Sequence, residues 1–419
     1  MTDHNDHAIV YGASGLIGWA LINQLLSPYP DSGTFSKVTA VTNRPLDLSE
    51  TQWPESHSRR PDLQLLSGVD LRGCDGLTLV ENLRRVANDI EGVTHIYYLV
   101  FTAMEDDIEE VATNRRMLQN VIDAHNLVSP KLKFVAFSGG TRGYGIYAPG
   151  GTFTPPLHED MVNNLPADYA ETVVYPYYRE TLKTASRGKN WTWCEVCPDA
   201  IIGFTPNGSQ FSLALHWAQY LSLFAYKNGV GSDTTQRADR PTIEVAFPGS
   251  TAGATSLFSP VSSQRLARFM IFASLHPDAC GGGQLFNVAD RGTPCTYGEL
   301  WPHLAKWFGL VGVGPIEQAA KAEDNILKVG ELPQKTSILT PGEYVAAFRD
   351  VFSERGCPKA IRGGVGAGSR QLDSVGYWLT FDRQLDLKKL RGTVFEGDEN
   401  PVQGWLESFA LFQKAGLII

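Results

Sequence analysis

His7-Ala-Ile-Val-Tyr-Gly12-Ala-Ser14-Gly15-Leu16-Ile17-Gly18-Trp-Ala-Leu is the stretch that decides the fold. Four apolar residues, Ala8 to Tyr11, run straight into three glycines spaced three apart. An apolar helical pattern follows at Leu16, Ile17, Leu21, Ile22 and Leu25. Glycine is needed where a chain turns sharply and where backbone must approach a ligand with no Cβ in the way. A helix that starts at such a turn aims unpaired N–H groups at it, which makes an anion site. Strand, glycine turn and helix in this order read as the pyrophosphate cradle of a dinucleotide. Its residues are Gly12, Ser14, Gly15, Leu16, Ile17 and Gly18.

The next strand indicates which dinucleotide. Lys37 to Thr42 reads as a second parallel strand and ends in Asn43-Arg44-Pro45. Chains that bind NAD usually place an acid here for the ribose hydroxyls, and this chain has none. Arg44 offers a planar, permanently charged fork suited to a 2′-phosphate, so NADPH is the expected cofactor, with Asn43 and Arg44 at that phosphate. Leu65 to Val69, ending in Asp70, reads as a third strand whose end meets the adenine or its ribose. Val93 to Phe101 reads as a buried fourth strand that brings Val100 and Phe101 near the nicotinamide. Lys133 to Phe137 and Trp193 to Val196 complete a doubly wound α/β sheet of the Rossmann type.

A chain of 419 residues with 43% hydrophobic content can bury a large core. The net charge is −9 and the basic residues form no long run, which argues against a nucleic-acid partner. The first seven residues are polar and acidic, unlike a signal peptide. Phe211 to Tyr226 is the most apolar stretch, but it is too short and too polar to span a bilayer comfortably. Six scattered cysteines fit a reducing cytosol, so a cytoplasmic enzyme is expected. Cys194 and Cys197 have the spacing of a metal pair, yet they sit in a strand, where residues three apart point to opposite faces. No second pair accompanies them, and no metal site is expected. Gly363 to Gly368 is glycine-rich without a preceding apolar strand and reads as a surface loop able to close over a substrate.

Strand–helix alternation continues to about residue 200, with a helix over Glu105–His125. The expected division is a dinucleotide-binding domain over residues 1–203, rejoined by about 261–290, and a smaller, mostly helical substrate lobe over 204–419. Helices are expected at Gln264–Leu275, Glu299–Leu310 and Pro341–Phe352, with a returning strand at Gln284–Val288. The amphipathic tail from Pro401 to Leu417 presents Trp405, Phe409 and Phe412 on one side for docking on the second lobe.

Several motifs in order resemble the progesterone 5β-reductase and iridoid synthase-like (PRISE) branch of the extended short-chain dehydrogenases. Gly12 to Gly18 resembles that family's phosphate loop, and Asn43-Arg44-Pro45 its arginine-bearing cofactor segment. Thr94-His-Ile-Tyr-Tyr-Leu-Val-Phe101 resembles its Thr-His-Val-Phe-Tyr strand, and Pro155-Pro-Leu-His-Glu-Asp160 its proline-acid approach to the active site. Tyr177-Tyr178 followed by Glu180 resembles Asn-Phe-Tyr-Tyr-x-x-Glu-Asp, whose second tyrosine is the family's catalytic residue. Pro198, Ala200 and Ile201 fall in the segment that lines the nicotinamide, with Ser138 at the end of the fifth strand. The resemblance therefore implies Tyr178 as the catalytic hydroxyl.

Two departures stand out. The family's catalytic lysine lies in Gln-Thr-Gly-x-Lys-x-Tyr-Gly, whereas this chain reads Ser138-Gly-Gly-Thr-Arg142-Gly-Tyr144-Gly145, with Arg142 at the lysine position. Arginine supplies charge but cannot lose its proton. The Asn-Phe before the tyrosine pair is replaced by Tyr175-Pro176. Tyr175 has Arg179 four residues on, but the proline after it marks a helix start, and Tyr175 reads as a cap-side residue.

The resemblance implies NADPH-dependent reduction of a conjugated carbonyl, with Tyr178 and Arg142 stabilising the enolate oxygen. Carbonyl reduction, a non-redox cyclase or isomerase, and a non-catalytic NADP(H) sensor are the alternatives that the same residues leave open. Phe101, Tyr144, Tyr147, Phe204 and His216 are the expected pocket lining, which suits a hydrophobic small molecule. A homodimer is left open.

Overall fold

The computed structural model describes residues 6–31, 33–54, 61–230, 242–316, 327–333, 338–363 and 370–419. Seven parallel strands form the central sheet: β1 (Asp6–Tyr11), β2 (Phe35–Thr42), β3 (Asp62–Ser67), β4 (His95–Tyr98), β5 (Phe134–Ser138), β6 (Thr192–Pro198) and β7 (Gln284–Val288). Their order is β7-β6-β5-β4-β1-β2-β3, with β7 beside β6 and Gln284 opposite Cys194. β1, β4, β5 and β6 are buried almost throughout, so their sequences are near-continuous apolar runs instead of alternating ones. The strand order reverses beside β1, and crevices at the carboxyl ends of strands at such a switch are where open α/β sheets bind ligands.

Helices cover both faces. On one side lie α1 (Leu16–Leu25) and, later in the chain, α6 (Ser263–Leu275), which pack on each other. On the other lie α2 (Gly76–Val86), α3 (Asp107–Val128) and α4 (Tyr175–Ala185). α3 is capped by the Asp106 carboxylate, which accepts from Glu109 N at 2.8 Å. Asp107, Glu109 and Glu110 in its first turn complement the helix dipole. α1 starts at Gly15 with no side-chain cap.

Past residue 203 the chain builds α5 (Leu213–Lys227), returns for α6 and β7, and then adds α7 (Tyr297–Trp307), α8 (Pro341–Phe348), α9 (Arg370–Trp378) and α10 (Pro401–Lys414). Two short parallel pairs join this region, Ile201–Ile202 with Val261–Ser262 and Glu244–Ala246 with Val311–Val313. The tail docks through aromatic rings: Trp405 stacks on Trp217 of α5 at 5.3 Å, and Phe412 meets Phe204 at 5.5 Å. One apolar cluster runs unbroken from Ala8 of β1 to Ile418, so the two parts of the chain share a core.

Several element ends differ from the sequence reading. β4 stops at Tyr98, which leaves Val100 and Phe101 on the loop beyond it, and β3 stops at Ser67, before Val69 and Asp70. Both ends lie where the chain leaves its pairing partners to line the crevice. The helical stretch after Pro341 is two helices, α8 and a short Asp350–Glu354 turn. Of the glycine-rich segment, residues 364–368 lie outside the described residues. Cys194 and Cys197 are buried thiols in β6, and burial raises both well above the ordinary thiol range. Among the described residues no group of three potential ligands is placed to hold a metal ion. No described helix is long and apolar enough to cross a membrane.

Candidate active site

The cradle at the end of β1 is made of backbone. Gly12 has φ +83°, and a Cβ there would lie 2.6 Å from the Leu99 carbonyl oxygen. A Cβ on Gly18 would collide with the Gly12 carbonyl oxygen. The N–H groups of Gly12 and Ala13 donate to the Val41 carbonyl at 3.1 and 3.0 Å, which ties the turn to β2. Gly15 N donates to Gly12 O at 3.0 Å, and a Cβ on Gly15 would press on the same oxygen at 3.3 Å. The first turn of α1, from Leu16 and Ile17, thus presents its N–H groups beside a surface that carries no side chain. That arrangement fits a pyrophosphate. Ser14 sits on the same turn.

Two further edges of the crevice follow. Asn43 and Arg44 are exposed just past β2, with the Arg44 carbonyl accepting from Thr42 Oγ1 at 2.9 Å. The arginine fork is unpaired among the described residues. Val69 N donates to Thr42 O at 3.0 Å, and the exposed Asp70 is held by Arg72, whose Nε lies 3.1 Å from it. The hydrogen bonds from Arg72 keep the Asp70 carboxyl below the usual carboxylate range. Past β4, Asn114 of α3 clamps Thr102 from both sides: its Oδ1 accepts from Thr102 N at 2.9 Å and its Nδ2 donates to Thr102 O at 2.8 Å. This fixes the loop carrying Val100 and Phe101. Phe101 is half-buried and meets Phe211 edge-on at 6.0 Å.

At the ends of β5 and β6 the chain gathers Ser138, Gly139, Gly140, Pro198, Ala200 and Ile201. The tyrosine that reaches this corner is Tyr175. A Cβ on Gly140 would lie 3.1 Å from Tyr175 Oη and 3.9 Å from the Pro198 carbonyl oxygen. One on Gly143 would lie 3.2 Å from the same ring. The absent side chains at 140 and 143 are what let the ring in. Among the described residues nothing accepts from or donates to the Tyr175 hydroxyl. Burial raises its pKa above the ordinary phenol range, with Arg142 pulling the other way.

Tyr178, which the resemblance implies as the catalytic hydroxyl, is more deeply buried than Tyr175. It belongs to the inward stripe of α4 with Thr181 and Leu182. Its ring lies edge-on to Phe137 at 5.5 Å and to Tyr98 at 5.7 Å, and only 2% of the residue is exposed. Neither the Tyr178 nor the Tyr98 hydroxyl reaches solvent, and burial lifts the Tyr178 pKa well above its ordinary value. α4 starts at Tyr175, with Pro176 in its first turn. Tyr175 stands at the helix end beside the loop after β5, and Tyr178 lies one turn further along the same face, against Phe137 of β5 and Tyr98 of β4.

Arg142 is also differently employed from the expectation. Its Nη1 donates to Glu110 Oε1 at 2.5 Å, and its Nη2 donates to Asp107 Oδ1 and to the Thr172 carbonyl, both at 2.7 Å. Its guanidinium lies 5.1 Å from the Tyr147 ring centroid. Glu110 accepts from Met104 N as well, at 3.1 Å. The arginine therefore staples the loops after β4 and β5 to the segment leading into Tyr175, and its charge is already matched. A lysine's single ammonium group could not span these partners.

Three of the expected lining residues are structural instead. Tyr144 is fully buried and donates to Asn287 Oδ1 at 2.7 Å, while Asn287 Nδ2 donates to the carbonyls of Leu157 and Asp386. Phe204 is wedged between Trp19 (4.8 Å) and Phe412. His216 is 3% exposed, and its Nε2 bonds Asp373 Oδ1 at 2.9 Å. Asp373 in turn accepts from Thr340 Oγ1 and Gly342 N at the start of α8. Each had an unsatisfied group or a large ring that the core claimed. Tyr147 stays half-buried, with its hydroxyl accepting from Gln371 at 2.9 Å.

The sequence reading noted Arg179 but assigned it no partner, and it passed over Glu195. Arg179, four residues after Tyr175 and so on the same helix face, donates from Nη1 to Glu195 Oε2 at 2.8 Å. Glu195 lies in β6 and is 1% exposed. A carboxylate inside an otherwise apolar strand, Trp-Cys-Glu-Val-Cys, was the available signal, because a buried acid requires a partner.

The profile of the PRISE-like Rossmann-fold domain matches residues 8–417. The chain belongs to that family. It is an oxidoreductase of the short-chain dehydrogenase/reductase superfamily. Short chain dehydrogenase sirS of Leptosphaeria maculans is 31% identical over 98% of this chain and 97% of its own. The 3-oxo-Delta(4,5)-steroid 5-beta-reductase of Arabidopsis thaliana is 25% identical over 73% of this chain and 70% of its own. Among solved structures, the GDP-mannoheptose C4 reductase of Campylobacter jejuni, with NADP bound, shares the fold at a TM-score of 0.56 and 12% identity, covering 99% of this chain and 100% of that one.

Proposed function

We propose that this PRISE-family protein is an NADPH-dependent reductase of a conjugated carbonyl in a hydrophobic small molecule, with Tyr175 as its proton donor. The observation that carries this reading is the Tyr175 hydroxyl, without a hydrogen-bond partner among the described residues, beside Gly140 in the loop after β5. The steroid 5-beta-reductase relative supports the substrate class, since its name describes reduction of a 3-oxo-Delta(4,5) steroid, an enone. The unpaired Arg44 supports the 2′-phosphorylated cofactor.

Gly12, Ser14, Gly15, Leu16, Ile17 and Gly18 would hold the pyrophosphate, Asn43 and Arg44 the 2′-phosphate, and Val69 and Asp70 the adenosine. Val100, Phe101, Ser138, Pro198, Ala200 and Ile201 would line the nicotinamide. Bound NADPH supplies a hydride. Tyr175 hydrogen-bonds the substrate carbonyl oxygen and so orients the conjugated system. When the β-carbon takes the hydride, the alkene electron pair shifts toward the carbonyl and the oxygen takes up charge. In this reading the Tyr175 O–H gives that oxygen its proton, and water restores the phenol. Stabilising charge where it develops is worth more in this dry corner than in water. Phe101, Phe211 and Tyr147 give the substrate apolar walls, and Arg142 and Glu110 keep the walls in register.

The test is to incubate the protein with cyclohex-2-enone and with larger terpenoid enals, using NADPH deuterated at the transferable position. The reading predicts one NADPH oxidised per product and deuterium at the β-carbon. Deuterium at the carbonyl carbon would replace it with simple carbonyl reduction. Product formed without reduced cofactor would overturn it in favour of a cyclase or isomerase.

A further inference from the structure

Among the described residues, the charged groups that act on Tyr175 are themselves paired. From the loop after β5 comes Arg142, and from α3 come Glu110 and Asp107, both paired to it. From α4 itself comes Arg179, and from β6 comes Glu195, paired to each other at 2.8 Å. Cys197 of β6 and Tyr147 act on the same ring as neutral groups, and Asp199 is held by Thr141 Oγ1, Ser259 N and Arg383. The two arginines thus meet three carboxylates, two of which, Glu110 and Glu195, have side chains no more than 5% exposed. Gly139 leaves the space that Glu195 fills, because a Cβ there would collide with its Oε1.

A cation left unpaired beside a tyrosine favours its phenolate, which is a base. A cation cancelled by a carboxylate does not. Resting on the assignment of Tyr175 as the donor, we propose that Glu195, assisted by Glu110, is a positioning and charge-cancelling residue that keeps Tyr175 a phenol. The site is thereby set to give a proton during reduction, and the reverse reaction, which needs the phenolate, is confined to alkaline solution. Glu195 acts through Arg179 and through its own negative charge. Both effects have the same sign, and burial of the ring adds to them.

The experiment uses the full chain labelled with ¹³Cζ-tyrosine. The Tyr175 resonance is identified by its loss in Tyr175→Phe and followed against pH, so no substrate is needed. In the parent protein Tyr175 should remain a phenol beyond the range of a free tyrosine, about pH 10. Glu195→Gln should lower its apparent pKa by about one unit or more, since an opposite charge within contact range moves a pKa by roughly 1–3 units. The double variant Arg179→Met/Glu195→Gln removes both charges and should return the titration toward the parent. If Glu195→Gln does not fold, Glu110→Gln should move Tyr175 in the same direction by releasing Arg142. An unmoved titration in the folded variants, or a parent Tyr175 that ionises below a free tyrosine, overturns the proposal. Turnover separates this failure from that of the underlying reading: a Tyr175→Phe protein with full activity would mean that Tyr175 is not the donor, whatever its titration.

Discussion

The two ends of the crevice are built in opposite ways. At the Gly12–Gly18 end the working surface is bare backbone, shaped by missing Cβ atoms and open N–H groups. At the Tyr175 end it is side chains, with each arginine matched to carboxylates. The first design tolerates no added atom and the second tolerates no unpaired charge. An anionic cofactor is met by dipoles that need no counter-ion, whereas a proton donor is kept neutral by cancelling the cations around it.

The harshest way to break that contrast is at the backbone end. Gly18→Ala would drive a methyl group into the Gly12 carbonyl oxygen, and overpacking of this kind costs about 1–3 kcal/mol or more. The expected outcome is loss of nucleotide binding together with a lowered melting temperature, read by calorimetry and by NADPH fluorescence. Full NADPH affinity in Gly18→Ala would show that the turn is not the cradle.

A milder change sharpens the contrast. Arg44 is where the cofactor end is expected to use a positive side-chain charge. A charge-assisted pair is worth roughly 1.5–3 kcal/mol, so Arg44→Ala should weaken NADPH by about tenfold to a hundredfold while leaving NADH nearly unchanged. Titration of both nucleotides against both proteins checks this. Equal affinities of the parent protein for NADPH and NADH would remove the cofactor assignment.

The same contrast explains what was legible in the sequence. The glycine turn is a local feature: Gly12, Gly15 and Gly18 do their work within seven residues, and the strand and helix around them are visible in the pattern. The order of strands and the tail's aromatic stripe are also local patterns repeated along the chain. The Tyr175 corner is assembled from α3, the loop after β5, α4 and β6, and its pairs join residues 16 to 35 positions apart. Arg142 looked available because its partners in α3 lie a whole strand and loop away. Tyr178 was implied by the family motif alone, and a motif does not show how far α4 sinks its tyrosines against Phe137 and Tyr98. His216 and Phe204 resembled pocket residues for the same reason: apolar surroundings in sequence do not distinguish a wall from a core.

The central claim is that Tyr175, and not Tyr178, delivers the proton. The direct measurement compares turnover and NADPH affinity in Tyr175→Phe and Tyr178→Phe with the same enone probe. Losing a donor that acts on the transition state costs on the order of a hundredfold or more in turnover. Tyr175→Phe should therefore fall by that much with NADPH affinity unchanged, while Tyr178→Phe, which removes a buried hydroxyl from the core, should turn over like the parent. A Tyr175→Phe protein as fast as the parent, or a Tyr178→Phe protein that is the one to fail while still folded, would contradict the account.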